Sequence, residues 1–233
     1  MAIGNVTPDS FYAASRLQSE QALLAWAKGA IEDGAAILDI GACSTRPGSV
    51  PASEEEEWKR LEPALRVLRD ALPDVPLSID TFRPEIARRA LEQFGRMTIN
   101  DISGGCEAMY DVVRQFGVPY IWTLCGDLDL PTRHPGMNDI DLILDPGFGF
   151  AKTVDQNYEL FRAIDRFQAF GKPILVGISR KSMIYRLFGI TPEEALPATQ
   201  ALHLAALQKG ADILRVHDVA EAARTVEVYR RIS

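Results

Sequence analysis

The chain has 233 residues, 47% hydrophobic and 24% charged, a balance that fits a globular fold with a sizeable core, built as one large domain or two small ones. Its net charge of −7 argues against a general nucleic-acid binder, which needs a basic face. No apolar run approaches the roughly 18–20 residues that cross a membrane, and "MAIGNVTPDSF" lacks the basic start and long apolar stretch of a secretion signal.

Short apolar runs alternate with longer amphipathic ones. The first run, 1–6, predicts a strand, and 18–33 predicts a helix that follows Ser15 and ends before Gly34. A strand over 35–41 precedes a helix over 53–72, whose "SEEEE" start puts acidic residues where a helix N-terminus favours them. Strands over 76–80 and 97–102 alternate with helices over 84–94 and 107–116. A strand over 118–124 is followed by one over 142–147 and a helix over 155–170. The last units are a strand over 173–179, a helix over 193–209, a strand over 213–218 and a helix over 219–231. The strands are apolar at consecutive positions, as parallel strands buried on both faces are. Eight βα units without a linker or composition break predict a single (β/α)₈ barrel domain over 1–233. The runner-up, an open doubly wound sheet, usually has a Gly-rich first crossover, whereas the first turn here is "NVTPDSF".

The fifth unit breaks the rhythm. Between its strand and the next lies "CGDLDLPTRHPGMNDID", with Gly126, Pro131, Pro135 and Gly136 spaced so that no full helix fits. A loop over 125–141 outside the barrel is expected, leaving apolar surface for another chain or shifted helices to cover.

Polar residues recur at the strand ends: Asn5, Asp39, Asp80, Asn100, Asp145, Ser179, Arg180, Lys181, Arg215 and His217. Any one of them is equally well a turn former. In a barrel, however, these ends converge on one mouth, where catalytic groups come from several strands. Arg215 and His217 share a strand face by the period of two and, with Lys181, suit an anion such as a diphosphate. Asp80, Asn100 and Asp145 suit a flat heterocycle rich in N–H groups. The remaining chemistry reads blandly. His134 falls in the irregular loop, His203 in a helix, and Cys43, Cys106 and Cys125 have neither zinc-ligand spacing nor a CxxC pair. Their odd number points to a reducing cytoplasm rather than a disulfide framework.

At these residues the chain resembles the dihydropteroate synthases, folate-pathway enzymes targeted by sulfonamides. "NVTPDSF", "DIGACSTRPGS", "SIDT", "INDISGG", "DPGFGF", "GISRKS" and "RVHD" follow the family's strand-end motifs in order, across residues 1 to about 230. The resemblance implies condensation of a dihydropterin methyl diphosphate with p-aminobenzoate, releasing diphosphate. It implies catalytic roles for Asp80, Asp145 and Lys181, and a pterin pocket of Asp80, Asn100, Asp145, Lys181 and Arg215. It implies a p-aminobenzoate site of Phe11, Thr45, Pro47, Phe150, Lys181 and Ser182. The diphosphate site is implied at Asn5, Thr45, Arg46, Arg215 and His217, with Mg²⁺ on Asn5, and the family implies a homodimer. Two departures stand out. The chain starts directly in the "NVTPDSF" strand without a leader strand, and the fifth strand lacks the family's usual Met-containing end and the helix after it, leaving the pterin wall to Leu124 or Cys125. That keeps open a pterin-binding paralogue with weak or no turnover. A corrinoid methyltransferase's pterin domain would share the barrel without needing "STRPGS", "GISRKS" and "RVH" together.

Overall fold

The computed structural model describes residues 1–6, 16–43, 52–125, 139–150 and 152–233, with side chains in the first helix from residue 20. The expected strands all form and all run parallel. They are β1 (Ala2–Asn5), β2 (Leu38–Gly41), β3 (Leu77–Asp80), β4 (Thr98–Asp101), β5 (Tyr120–Thr123), β6 (Leu142–Asp145), β7 (Leu175–Val176) and β8 (Ile213–Leu214). β1 to β6 pair in sequence order and β7 pairs with β8. The bridges Leu144↔Ile174 and Ala2↔Val216 join the two ladders at both edges. Backbone bonds seal the seams, from Leu144 to Pro173 at 2.8 Å and from Ile3 to Val216 at 2.9 Å. No edge strand remains among the described residues, so this is a closed (β/α)₈ TIM barrel rather than an open doubly wound sheet.

The helices are α1 (Arg16–Glu32), α2 (Glu54–Ala71), α3 (Pro84–Phe94), α4 (Glu107–Phe116), α5 (Val154–Arg162), α6 (Ser182–Phe188), α7 (Leu196–Gln208) and α8 (Val219–Ile232). The acidic start of α2 works as expected, with Ser53 and Glu56 exchanging side chain-to-backbone bonds in a capping box. Three details differ from expectation. The helix expected over 155–170 breaks after Arg162 and continues as a 3₁₀ segment, Ile164–Phe170, whose tighter period puts the buried Ile164 and Phe167 on one side. The helix expected over 193–209 begins with a 3₁₀ turn, Glu193–Ala195, before Pro197 opens the regular helix. Finally, α6 is a helix where only the loop motif "GISRKS" was read, because seven residues are too few to show a period. The loop expected over 125–141, together with His134, falls largely on 126–138, outside the described residues.

Register explains why one side of the sheet is apolar and the other is not. Side chains alternate along each strand, and parallel register aligns like sides. Leu38, Ile40, Leu77, Ile79, Ile99 and Tyr120 face outward and pack with Leu65, Ile86, Ala90, Met109 and Val112 of the helices in one buried cluster. Asp101, next to the inward Asn100, also faces outward. It accepts from Tyr120 Oη at 2.9 Å and from Ser103 at 2.8 and 2.6 Å, bracing the turn after β4.

Candidate active site at the barrel mouth

The inward positions form layers. Asn5, Gly41, Asp80 and Asn100 lie side by side in one row, with Asp39 and Ser78 one layer deeper. Thr123 and Asp145 are level with each other one layer higher. Branched apolar side chains usually fill such a barrel; here much of the inner wall is polar.

An ion-pair network ties the far ends of the chain together. Arg215 donates through Nε to Asp39 Oδ2 at 2.6 Å and through Nη2 to Asp80 Oδ2 at 2.6 Å. Asn100 Nδ2 donates to the same Asp39 oxygen at 3.1 Å. Asn100 Oδ1, Asp39 Oδ1, Ser78 Oγ and Thr123 Oγ1 are buried without a partner among the described residues. Buried polar groups are usually hydrogen-bonded, and these four share the inner faces of β2 to β5.

The other half of the site hangs on the loop after β6. Asp145 Oδ1 accepts the Gly147 amide at 2.8 Å. Lys181 Nζ donates to the Phe148 carbonyl and sits 4.7 Å from the Phe150 ring centroid. Lys152 holds the loop to the end of β5 through the carbonyls of Gly147 at 3.0 Å, Phe150 at 3.3 Å and Leu124 at 3.4 Å. The buried Asn157 accepts the Gly149 amide at 2.7 Å and donates to the Thr153 carbonyl at 2.7 Å. Around Gly177, where a side chain would otherwise stand, Lys181 Nζ and Arg215 Cβ each lie 3.9 Å away.

Burial dominates the electrostatics. It pushes the Asp80 carboxyl up to about 7; Arg215 opposes the rise, and Asp39, Glu57 and Asp101 add to it. It raises Asp145 against the pull of Lys181 and the Gly147 amide. It lowers Lys181 to about 8, with Asp145 opposing and Arg215 and Lys152 adding. Burial also works against the Arg215 charge, but Asp39 and Asp80 outweigh it and the pKa ends up raised. Strong perturbation of several groups in one concave place is characteristic of a functional site.

Comparison with known proteins fits this geometry. A profile described as pterin binding enzyme matches residues 1–129 and 128–217. The dihydropteroate synthase of Synechocystis sp. is 40% identical over 256 residues, covering 98% of this chain and 88% of its own. That of Bacillus subtilis is 36% identical over 247 residues, covering 98% of this chain and 86% of its own. The chain belongs to the dihydropteroate synthase family. The dihydropteroate synthase of Clostridium difficile, solved in the presence of pteroic acid, superposes with a TM-score of 0.91 at 31% identity, covering 100% of this chain and 95% of its own. The Thermus thermophilus synthase in complex with 4-aminobenzoate gives 0.84 at 33% identity, covering 100% and 91%. The corrinoid methyltransferase alternative gives way to these matches.

Of the residues the synthase resemblance implied, Asp80, Asn100, Asp145, Lys181 and Arg215 come together as described. Ser182 opens α6 next to Lys181, and Phe150 stacks on that lysine. His217 stands exposed at the rim, its amide donating to Ser179 Oγ at 3.2 Å. Asn5 lines the same row as Asp80. Phe11, Thr45, Arg46 and Pro47 lie outside the described residues. Arg180 turns out to be a brace: it pairs with Asp218 at 2.8 and 2.7 Å and donates to the Pro192 and Glu193 carbonyls at 3.0 and 2.8 Å. The sequence reading gave no role to Lys152 or Asn157, which sit in what reads as an ordinary helix start, and none to Asp39 beyond its place at a strand end.

Proposed function

We propose that this chain is a dihydropteroate synthase, condensing 6-hydroxymethyl-7,8-dihydropterin diphosphate with p-aminobenzoate to give 7,8-dihydropteroate and diphosphate. The observation that carries the reading is the meeting, at one barrel mouth, of inward acceptors on β3, β4 and β6 with the cations Lys181 and Arg215. Asp145, Asn100 and Asp80 suit the ring's N–H and amino donors. Arg215, with His217, Asn5 and the loop residues Thr45 and Arg46, suits the diphosphate. Phe150, Lys181 and Ser182, with Phe11, Thr45 and Pro47, suit the aminobenzoate.

In the reaction the methylene C–O bond breaks, and its electron pair leaves with the diphosphate. The aniline nitrogen forms the new C–N bond and then loses a proton. Positive charge grows on the pterin as the diphosphate departs, and the buried carboxylates Asp80 and Asp145 are placed to stabilise it. Arg215 stabilises the leaving anion. No strong base is needed for an aniline, and the arrangement uses none.

Mg²⁺ fits this site as a partner of the diphosphate. Asn5 Oδ1 and Asp80 Oδ2 lie 3.5 and 3.7 Å from the point that a Gly41 side chain would fill, so glycine leaves a gap between two hard oxygen donors. Among the described residues no three His, Cys, Asp or Glu side chains gather as a metal cluster. One or two protein oxygens plus substrate phosphates are the usual way this ion is held. When bound there, it supplies charge to the leaving group.

The same reading takes the chain as a single-domain cytoplasmic protein, supported by an odd count of three cysteines with neither a CxxC pair nor zinc-ligand spacing. It also takes it as a homodimer, supported by the exposed Leu187, Phe188, Val228 and Ile232. The test is to incubate the purified chain with the pterin diphosphate, labelled p-aminobenzoate and Mg²⁺. Dihydropteroate and diphosphate should appear in equal amounts, and pterin binding without product would overturn the synthase reading.

A further inference from the structure

One fully buried carboxylate at the mouth has no part in the substrate contacts above. Asp39 lies one layer below the row of Asn5, Gly41, Asp80 and Asn100. A single oxygen of it serves two elements, accepting from Arg215 Nε at 2.6 Å and from Asn100 Nδ2 at 3.1 Å. We propose that Asp39 is a positioning residue, which fixes the face of the Asn100 amide that meets the pterin and holds Arg215 in place when Asp80 turns to the ring. The inference rests on the synthase reading and deepens it.

Donor and acceptor inventory decides how the amide lies. An asparagine side chain offers an acceptor at one end and two donors at the other, while an ionised carboxylate only accepts. Asp39 therefore takes the Nδ2 end, and Oδ1 must point elsewhere. That oxygen is buried with no donor among the described residues. Position 100 so reads an N–H on the ligand and rejects an acceptor there. Without Asp39 the amide is free to flip and loses this discrimination.

Access separates the two carboxylate partners of Arg215: the Asp80 side chain is 18% exposed and that of Asp39 is 0% exposed. Asp80 is within reach of a ring donor and its bond to Nη2 is exchangeable. The bond from Nε to Asp39 lies below, out of ligand reach. The fork geometry of a guanidinium then keeps Nη1, which has no protein acceptor among the described residues, oriented for a phosphate oxygen. Asp39 touches no substrate and acts through two residues that do.

Asp39→Asn keeps the shape and removes the charge, so the bonds from Arg215 and Asn100 to the shared oxygen lose the strength that the carboxylate gives them. In calorimetry with Mg²⁺ and the pterin diphosphate, without p-aminobenzoate, Kd should rise about tenfold or more, the scale of a charge-assisted bond. KM for the pterin substrate should follow, while that for p-aminobenzoate stays within about twofold. In an Asn100→Ala background, Asp39→Asn should cost markedly less, since half of what Asp39 orients is gone. Additive costs, or a parent-like Kd, overturn the role. If Asp39→Asn does not fold, the parent decides. The Arg215 Nε–H signal should exchange slowly with solvent both before and after the pterin diphosphate binds, and loss of that protection on binding overturns the inference. A parent that binds the pterin and makes no product counts against the synthase reading, whereas a parent-like Asp39→Asn counts against Asp39 alone.

Discussion

Gly147→Ala is the sharpest probe of how Asp145, the carboxylate proposed to bind the pterin, is held. Gly147 has φ +77°, and a Cβ there would run into the Leu124 carbonyl oxygen and lie 3.2 Å from Thr123 Cγ2. The carbonyl cannot yield easily, because the Leu124 amide is itself bonded to the Asp145 carbonyl at 2.8 Å. Alanine must therefore lever the loop after β6 away from β5. Two costs add: a left-handed backbone for a residue with a Cβ, about 1–2 kcal/mol, and overpacking against rigid backbone, about 1–3 kcal/mol. Gly171→Ala is the control, since Gly171 has φ +61° with nothing within 4 Å and incurs only the first cost. Urea unfolding should place Gly147→Ala below Gly171→Ala by about 1–3 kcal/mol. Only Gly147→Ala should weaken pterin binding, because its amide is the one bonded to Asp145 at 2.8 Å. Equal destabilisation of the two variants, with pterin affinity untouched in both, would refute the reasoning.

Arg215→Ala should lower unfolding stability by about 3–5 kcal/mol, since it strands buried carboxylates, and should weaken competition by inorganic diphosphate; unchanged diphosphate affinity would remove Arg215 from the anion site. Asp145→Ala should cost about 1–3 kcal/mol of pterin binding for each ring donor left unpaired, read by calorimetry. With Asp80 raised to about 7 and Lys181 lowered to about 8, kcat/KM should rise as pH passes the first and fall as it passes the second, and a flat profile across both counts against the assignment. The linkage signs match: Asp80 contributes stability below the ordinary carboxylate range that is lost as pH rises through about 7, and Lys181 contributes stability above the ordinary lysine range that is lost as pH falls through about 8. Denaturant midpoints of the free protein should therefore be less favourable in that window for the parent than for Lys181→Met. Chelation by EDTA should abolish turnover while leaving a pterin without diphosphate able to bind.

The barrel was legible because closed parallel sheets leave a plain trace: apolar runs at regular spacing, each ending in a polar residue. The limits of that reading are as physical as its success. Asn100 and Asp101 stand together in the sequence, and only the register of β4 sends the first into the barrel and the second out to Tyr120 and Ser103. Asp39 looked like one more strand end. Its function lies in a bond to Arg215, a residue 176 positions away, and no local pattern encodes such a partner. Arg180 carried the same strand-end signal as Lys181, yet its φ of +52° and its pairing with Asp218 commit it to the fold. Lys152 and Asn157 work through backbone carbonyls and an amide, and any sequence at those positions offers the same backbone groups.

The network also bears on how the free site survives. Among the described residues, Asp39, Asp80 and Asp145 share one mouth with Arg215 and Lys181, and buried ion pairs seldom stabilise a fold compared with apolar packing. Their retention makes sense if the pairs are exchanged rather than made when substrate arrives. In the free chain Asp80 neutralises Arg215, so neither charge stands alone. On the proposed reading, the pterin offers N–H donors to Asp80 while its diphosphate offers oxygens to Arg215, so one internal pair is replaced by two external ones. Asp39 makes the exchange orderly, because it keeps Arg215 fixed during the swap. The orphaned oxygens of Asn100 and Thr123 add to the same account. Their desolvation cost is already incurred in folding, so a ligand that supplies donors recovers it on binding. A pocket built this way is less stable without substrate than with it, and selective for a ligand that is donor-rich at one end and anionic at the other.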